Sequence, residues 1–192
     1  SIMYDQSSLP FEENIQRVKD FVKIAHPLGI SVEGELGIMG STDEDEHGGE
    51  PMTNAQIRET FTDPEEARIF AEETNCDALA VCFGTIHGIY AEDPILDIER
   101  VKDIREAVHD DCRIVMHGGS GVDNQQVQNA ISAGISKINF YSYLSKAASE
   151  NIYKILKENP SLPHEKLNEL NYQFMKDYTK DVLSLYMNGK NV

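Results

Sequence analysis

Positive charge is scarce in this chain. Its 17 Lys and Arg stand against 33 Asp and Glu, a formal charge of -16 at pH 7, and a surface of that sign cannot displace the counterions of nucleic acid or settle on an anionic membrane. Any phosphate bound here has to be held by local donors. Cysteine is scarce as well: Cys76, Cys82 and Cys112 are odd in number and show no C-x-x-C spacing. That excludes a disulfide framework and a zinc ribbon, and it makes a reducing cytoplasm the expected location. Long apolar runs are missing, so no segment reads as a membrane span, and Ser1-Ile2-Met3-Tyr4-Asp5 does not look like a signal peptide. These first residues also lack an initiating methionine and open on an apolar, strand-like run. The expectation is a sequence that begins partway through a longer protein.

What remains is enough for one domain: 192 residues, 40% hydrophobic, make a core of useful size without demanding a second. Strand-like runs over residues 1–4, 30–36, 78–83, 113–116 and 136–140 alternate with helical patterns at 11–25, 97–108 and 124–132 and one that starts at Thr62-Asp63-Pro64. Helices over 143–158 and 165–187 follow. Strict alternation calls for a parallel sheet with helices outside it. Asp5 and Glu35 lie 30 positions apart, as do His87 and His117, close to the ~31 residues per unit of an eight-stranded barrel. The expected fold class is therefore α/β, a (β/α)8 TIM barrel. Residues 37–60, with four glycines around Asp43-Glu44-Asp45-Glu46, read as either a solvated acidic loop or a mobile lid.

The stretch Arg113-Ile114-Val115-Met116-His117-Gly118-Gly119-Ser120-Gly121 carries the chemistry. It reads as a buried strand that ends in an imidazole and a glycine turn, with a helix opening at Asp123-Asn124. Such a turn and helix N-terminus present backbone N–H groups to an anion. His87 and His117 each read as the end of a buried strand, one unit apart and followed by glycine, which suits two ligands on one zinc ion. Glu35, or less readily Glu33, is the candidate for a further carboxylate; the competing reading is a carboxylate paired with a lysine inside the barrel. Ser120 reads as a hydroxyl donor to phosphate, and Asn139, ending the next strand, as a donor to a polarised substrate oxygen or as a turn holder.

These residues together resemble the class II, zinc-dependent ketose-bisphosphate aldolases, the fructose-bisphosphate aldolase family. The likeness runs through Tyr4-Asp5-Gln6-Ser7-Ser8-Leu9-Pro10-Phe11-Glu12-Glu13-Asn14, Val32-Glu33-Gly34-Glu35-Leu36-Gly37, Thr62-Asp63-Pro64-Glu65-Glu66-Ala67, Gly84-Thr85-Ile86-His87-Gly88, His117-Gly118-Gly119-Ser120-Gly121 and Lys137-Ile138-Asn139. It implies a dimeric or tetrameric barrel that cleaves a ketose bisphosphate, such as fructose 1,6-bisphosphate, into dihydroxyacetone phosphate and an aldehyde. By the resemblance, His87 and His117 are zinc ligands, and Gly88, Gly119 and Ser120, with Gly118 in the same turn, belong to a phosphate and monovalent-cation site. Asn139 holds the enediolate, and Asp43 or Glu44 is the acid that moves the proton.

The sequence also departs from the family pattern. The third zinc histidine and the adjoining catalytic aspartate have no counterpart, so the chain corresponds to strands four to eight of the barrel plus the C-terminal helices. Ala91 replaces a common basic residue. After Asn139, Phe140-Tyr141-Ser142-Tyr143 replaces a small polar run, leaving Ser142 as the phosphate-binding hydroxyl. The expectations are that the 192 residues alone are inactive, and that tagatose bisphosphate or a deoxy-ketohexonate phosphate is the alternative substrate. From a different class, the chain is a barrel fragment whose open edges serve assembly.

Overall fold

The computed structural model describes residues 1–37, 53–87, 90 and 92–187. Five strands, β1 (Ile2–Met3), β2 (Val32–Leu36), β3 (Ala78–Val81), β4 (Arg113–Met116) and β5 (Ile135–Ile138), form one sheet in sequence order with every neighbouring pair parallel. Between them run α1 (Phe11–Ala25), α2 (Asn54–Arg58), α3 (Pro64–Thr74), α4 (Ile98–Ala107) and α5 (Asn124–Ala133), followed by α6 (Ser142–Glu158) and α7 (His164–Tyr186). The expected alternation is present. α2 occupies part of the segment read as a loop over 37–60, and its Thr53 capping box accounts for that: Thr53 accepts from the Gln56 N–H while Gln56 reaches back to the Thr53 N–H. Among the described residues no helix is long and apolar enough to cross a membrane, and all three cysteines are free and buried.

Helix boundaries follow from capping chemistry. Asp63 accepts from the Glu65 and Glu66 N–H groups with Pro64 in the first turn, which starts α3 where fixed φ and a carboxylate favour it. α1 buries Ile15, Val18, Val22 and Ala25 at helical spacing, and stops in a 3-10 turn closed by Gly29 at φ +69°. Gly34 lets α1 and α3 close on the sheet, since a β-carbon there would come 2.9 Å from Phe70 Cε1 and 3.6 Å from Val18 Cγ1. The core on this side holds Val18, Phe70, Leu79, Val81, Val101, Ile104 and Ile114.

The other face of the sheet is what positions the site. Register places Glu35 beside Ala80, Ala80 beside Val115, and Val115 beside Lys137, so with the two-residue period of a strand Glu33, Glu35, Val115, His117, Lys137 and Asn139 share one face. An irregularity between Ile114 and Val115 brings Lys137, not Ser136, opposite Val115. In a flat sheet β2 and β5 would lie roughly 14 Å apart, at about 4.8 Å per strand. Yet Lys137 Nζ on β5 sits 2.8 Å from Glu33 Oε2 on β2. Two long side chains leaning toward each other over one face make this contact, and a sheet curved with that face concave, as in a barrel wall, shortens their reach.

Where the sequence reads as a single domain, contacts group the chain into two compact units, Ser1–Asn139 and Phe140–Val192. The second consists of α6 and α7, which pack on each other with Phe140, Phe174 and Tyr178 in ring contact.

Candidate active site

His117 directly follows Met116, the last residue of β4, and its imidazole is buried at 5% side-chain exposure. Both of its nitrogens are engaged. Nε2 lies 2.9 Å from Glu33 Oε1, while Nδ1 lies 3.1 Å from Glu35 Oε2 and 3.3 Å from His87 Nε2. Glu33 and Glu35 reach it from β2 across Ala80, whose small side chain leaves the space open. Asn14 of α1 secures the backbone beneath them, donating from Nδ2 to the Glu35 carbonyl at 2.9 Å.

His87 arrives by a route the sequence does not display. The expectation of two strand-terminating histidines holds for His117 and fails for His87, because β3 ends at Val81. There the Cys82 N–H donates to Thr62 Oγ1 and the Cys82 carbonyl accepts from the Thr62 N–H, drawing the chain out of the sheet. The loop then folds over the glycine turn after β4. Tyr90 clasps the two: its hydroxyl accepts from the Ile86 N–H at 3.2 Å and donates to the Gly118 carbonyl at 2.8 Å. Gly118 has φ +63°, and a β-carbon there would collide with the Ile86 carbonyl oxygen. Glycine is therefore what allows the two loops to touch and the two rings to meet, with centroids 5.3 Å apart.

The electrostatics follow from this packing. Burial alone would push the His117 imidazole down, but the hydrogen bond to Glu33 and the negative charges of Glu35 and Glu33 beside the ring outweigh it and push it up to about 9. Burial likewise raises Glu33, yet the hydrogen bonds from His117 and Lys137 hold its carboxyl below the ordinary range. The paired carboxylates thus favour positive charge at the end of β4. Glu35 Oε2, although 3.1 Å from Nδ1, is not aligned for a hydrogen bond and is a buried acceptor without a partner.

An orphaned acceptor beside two imidazole nitrogens suits a cation. Zinc at about 2.0–2.1 Å from each nitrogen would set adjacent donors roughly 3.3 Å apart, the separation found between His87 Nε2 and His117 Nδ1. In the present arrangement His87 Nε2 and Glu35 Oε2 both lie within 3.3 Å of Nδ1 itself. Among the described residues no group of three or more His, Cys, Asp or Glu forms a ready metal-binding set. The donor chemistry fits zinc, and the coordination shell is partial.

The anion-binding expectation needs a correction. The α5 N-terminus is closed by its own carboxylate, since Asp123 Oδ1 accepts from Gln125 N at 2.9 Å and Gln126 N at 3.2 Å, which leaves those donors unable to serve a phosphate. The Gly119 N–H is also committed, to the Asn139 carbonyl at 3.1 Å. Ser120 is buried in the turn. Asn139 is exposed just past β5, with Oδ1 2.7 Å from Lys137 Nζ. Ser142 is the first residue of α6, in the second unit. Asp43, Glu44 and Gly88 lie outside the described residues.

The sequence reading gave no role to Lys137, Tyr90 or Asn14. Of these, Lys137 was within reach, since it stands two positions before Asn139 on the same strand face and opposite charge to Glu33. Asp5, taken with Glu35 as a recurring barrel-level residue, is exposed and holds a turn, accepting from Ser7 N at 2.8 Å.

Residues 1–190 match the model of the family described as fructose-bisphosphate aldolase class-II. Among solved structures, the chain is similar to the YdjI aldolase from Escherichia coli K12, with 36% identity and a TM-score of 0.78, over 98% of this chain and 61% of that one. It is also similar to a putative fructose-1,6-biphosphate aldolase from Coccidioides immitis, with 26% identity and a TM-score of 0.79, over 98% of this chain and 63% of that one. A fructose-bisphosphate aldolase from Campylobacter jejuni, 22% identical with a TM-score of 0.72 over 98% and 61% of the two chains, shares the fold. The chain spans 61–63% of the length of these solved relatives.

Proposed function

The chain belongs to the class-II fructose-bisphosphate aldolase family, and from that premise we propose that it supplies the larger part of a zinc-dependent aldolase that cleaves a ketose bisphosphate. The observation that carries this reading is the approach of His87 Nε2 to His117 Nδ1 at 3.3 Å beside the partnerless Glu35 Oε2. His87 and His117 would hold the zinc, with Glu35 nearest as a further carboxylate. When bound, zinc supplies Lewis-acid polarisation of the ketose carbonyl.

The chain's own residues do the rest. Glu33 accepts the Nε2 proton of His117, and once Nδ1 gives up its proton in favour of a bound cation this hydrogen bond fixes the tautomer that leaves Nδ1 as the ligand. Asn139 offers its amide N–H groups to the substrate oxygen on which charge builds as the carbon-carbon bond breaks. Ser120, with Gly118 and Gly88, binds a substrate phosphate, with a monovalent cation, and Asp43 or Glu44 moves the proton on the dihydroxyacetone phosphate carbon. The assembled enzyme is a homodimer or homotetramer.

The test is aldol cleavage by the protein carrying a complete barrel, assayed on fructose 1,6-bisphosphate and tagatose 1,6-bisphosphate with zinc content measured alongside. Expected are turnover that depends on zinc, and loss of both zinc and turnover in His87→Ala and His117→Ala. A purified complete protein that holds no metal and cleaves neither sugar refutes the reading.

A further inference from the structure

β5, which ends one residue before Asn139, carries a polar side chain on the same face as Asn139, and its contacts are specific. Lys137 Nζ lies 2.7 Å from Asn139 Oδ1, 2.8 Å from Glu33 Oε2 and 3.1 Å from Glu33 Oε1. Half-exposed lysines on strands usually extend into solvent. This one is drawn back over the concave face by a carboxylate three strands away, and that same carboxylate holds His117.

An ammonium group has donors and no acceptor, so the end of the Asn139 amide that faces Lys137 must be its oxygen. The planar amide is thereby fixed with its Nδ2 donors at the opposite end. Withdrawing density from Oδ1 also makes those N–H groups better donors. Without the lysine, the two flipped orientations of an exposed asparagine differ little, and an N–H aimed at a developing negative charge would be replaced half of the time by a repelling oxygen.

We propose that Lys137, buttressed by Glu33, is a positioning residue for the reaction: it locks the Asn139 amide in the orientation that donates to the substrate oxygen. The proposal rests on the role given to Asn139 in the aldolase reading. Glu33 then has two duties, orienting the His117 imidazole on one side and the Lys137–Asn139 pair on the other, so the metal-binding and oxygen-binding halves of the site share one carboxylate.

The experiment is a double-mutant cycle in the complete-barrel enzyme. Lys137→Met is expected to lower kcat roughly tenfold, short of the ~100- to 1000-fold cost of removing such a donor outright, with KM within about twofold and zinc content unchanged. Lys137→Arg, which keeps the charged donor, is expected to restore most of the rate. In an Asn139→Ala background Lys137→Met should change kcat by less than about twofold, because the group it acts through is gone. An equal loss in both backgrounds, or an unaltered kcat in the single variant, overturns the proposal. If the unmodified enzyme cleaves no ketose phosphate, the functional reading fails, and 15N NMR of the Asn139 side-chain amide still decides the positioning. Displaced NH2 resonances in Lys137→Met support it, and unmoved resonances refute it.

Discussion

Glu33 Oε1 and His117 Nε2 meet at 2.9 Å between two side chains that are each less than a tenth exposed. A carboxylate in this position raises the basicity of the imidazole and prevents its rotation, which leaves Nδ1 as the only nitrogen able to bind a cation. Glu33→Gln preserves the shape and an acceptor oxygen but removes the charge. We expect zinc affinity to fall by about 10- to 100-fold, read by competition with a chelator in the complete-barrel protein. An unchanged affinity would mean that the pair serves stability only.

Gly118→Ala tests the contact between the two loops. A left-handed φ of +63° costs an alanine about 1–2 kcal/mol, and its methyl group must also push the Ile86 carbonyl away. The expected sum is a loss of about 2–4 kcal/mol, with His87 displaced because it follows Ile86 directly. Thermal denaturation and zinc content measured on the same sample check this. A variant with wild-type melting and full zinc would show that the Tyr90 clasp alone sets the geometry.

Much of this architecture is legible in the sequence because it rests on short-range rules. Residues 113–116 are an apolar run between turn signals, and they form β4 at those positions. Asp63-Pro64 announces a helix start and delivers one. The features that escape depend on tertiary partners. The apolar run at 78–83 looks like strand throughout, yet Cys82 leaves the sheet because the Thr62 hydroxyl takes its N–H, and no local pattern records that. The sequence leaves open a carboxylate paired with a lysine inside the barrel without naming the lysine, and only the folded sheet identifies the pair as Glu33 and Lys137, 2.8 Å apart. Asp123 is visible as a cap, and the consequence, that a capped helix start has fewer donors left for phosphate, follows only when its two hydrogen bonds are seen.

Gly34→Ala probes how closely the helices sit on β2. Its methyl group would lie 2.9 Å from Phe70 Cε1, and Phe70 is fully buried, so the ring has to move against packed neighbours. Overpacking of this kind costs about 1–3 kcal/mol. Phe70→Leu should relieve it, making the double variant less destabilised than the two single losses added together. Urea denaturation midpoints measure the cycle, and strict additivity would place the strain elsewhere.

Asp77 gives the pH dependence its sign. At the start of β3 its Oδ2 accepts from the Val32 N–H at 2.7 Å and pairs with His26 Nε2 at 2.9 Å. Its own N–H donates to the Val32 carbonyl, and its carbonyl accepts from the Arg113 N–H. One residue therefore ties together the beginnings of β2, β3 and β4. Burial pushes its carboxyl up, but the Val32 and His26 hydrogen bonds prevail and hold it below its ordinary value. A depressed folded value means that the unfolded chain takes up the proton first as pH falls. The stabilisation is therefore complete above the unfolded value near 3.9 and is lost as pH drops through the folded one. Solvent at the 42% exposed carboxylate keeps the effect modest. Asp77→Asn should accordingly be less stable than wild type by a constant margin between about pH 5 and 7. Below about pH 4 the margin should shrink, as followed by urea denaturation at each pH. A margin that grows on acidification has the wrong sign for this ion pair and hydrogen-bond set.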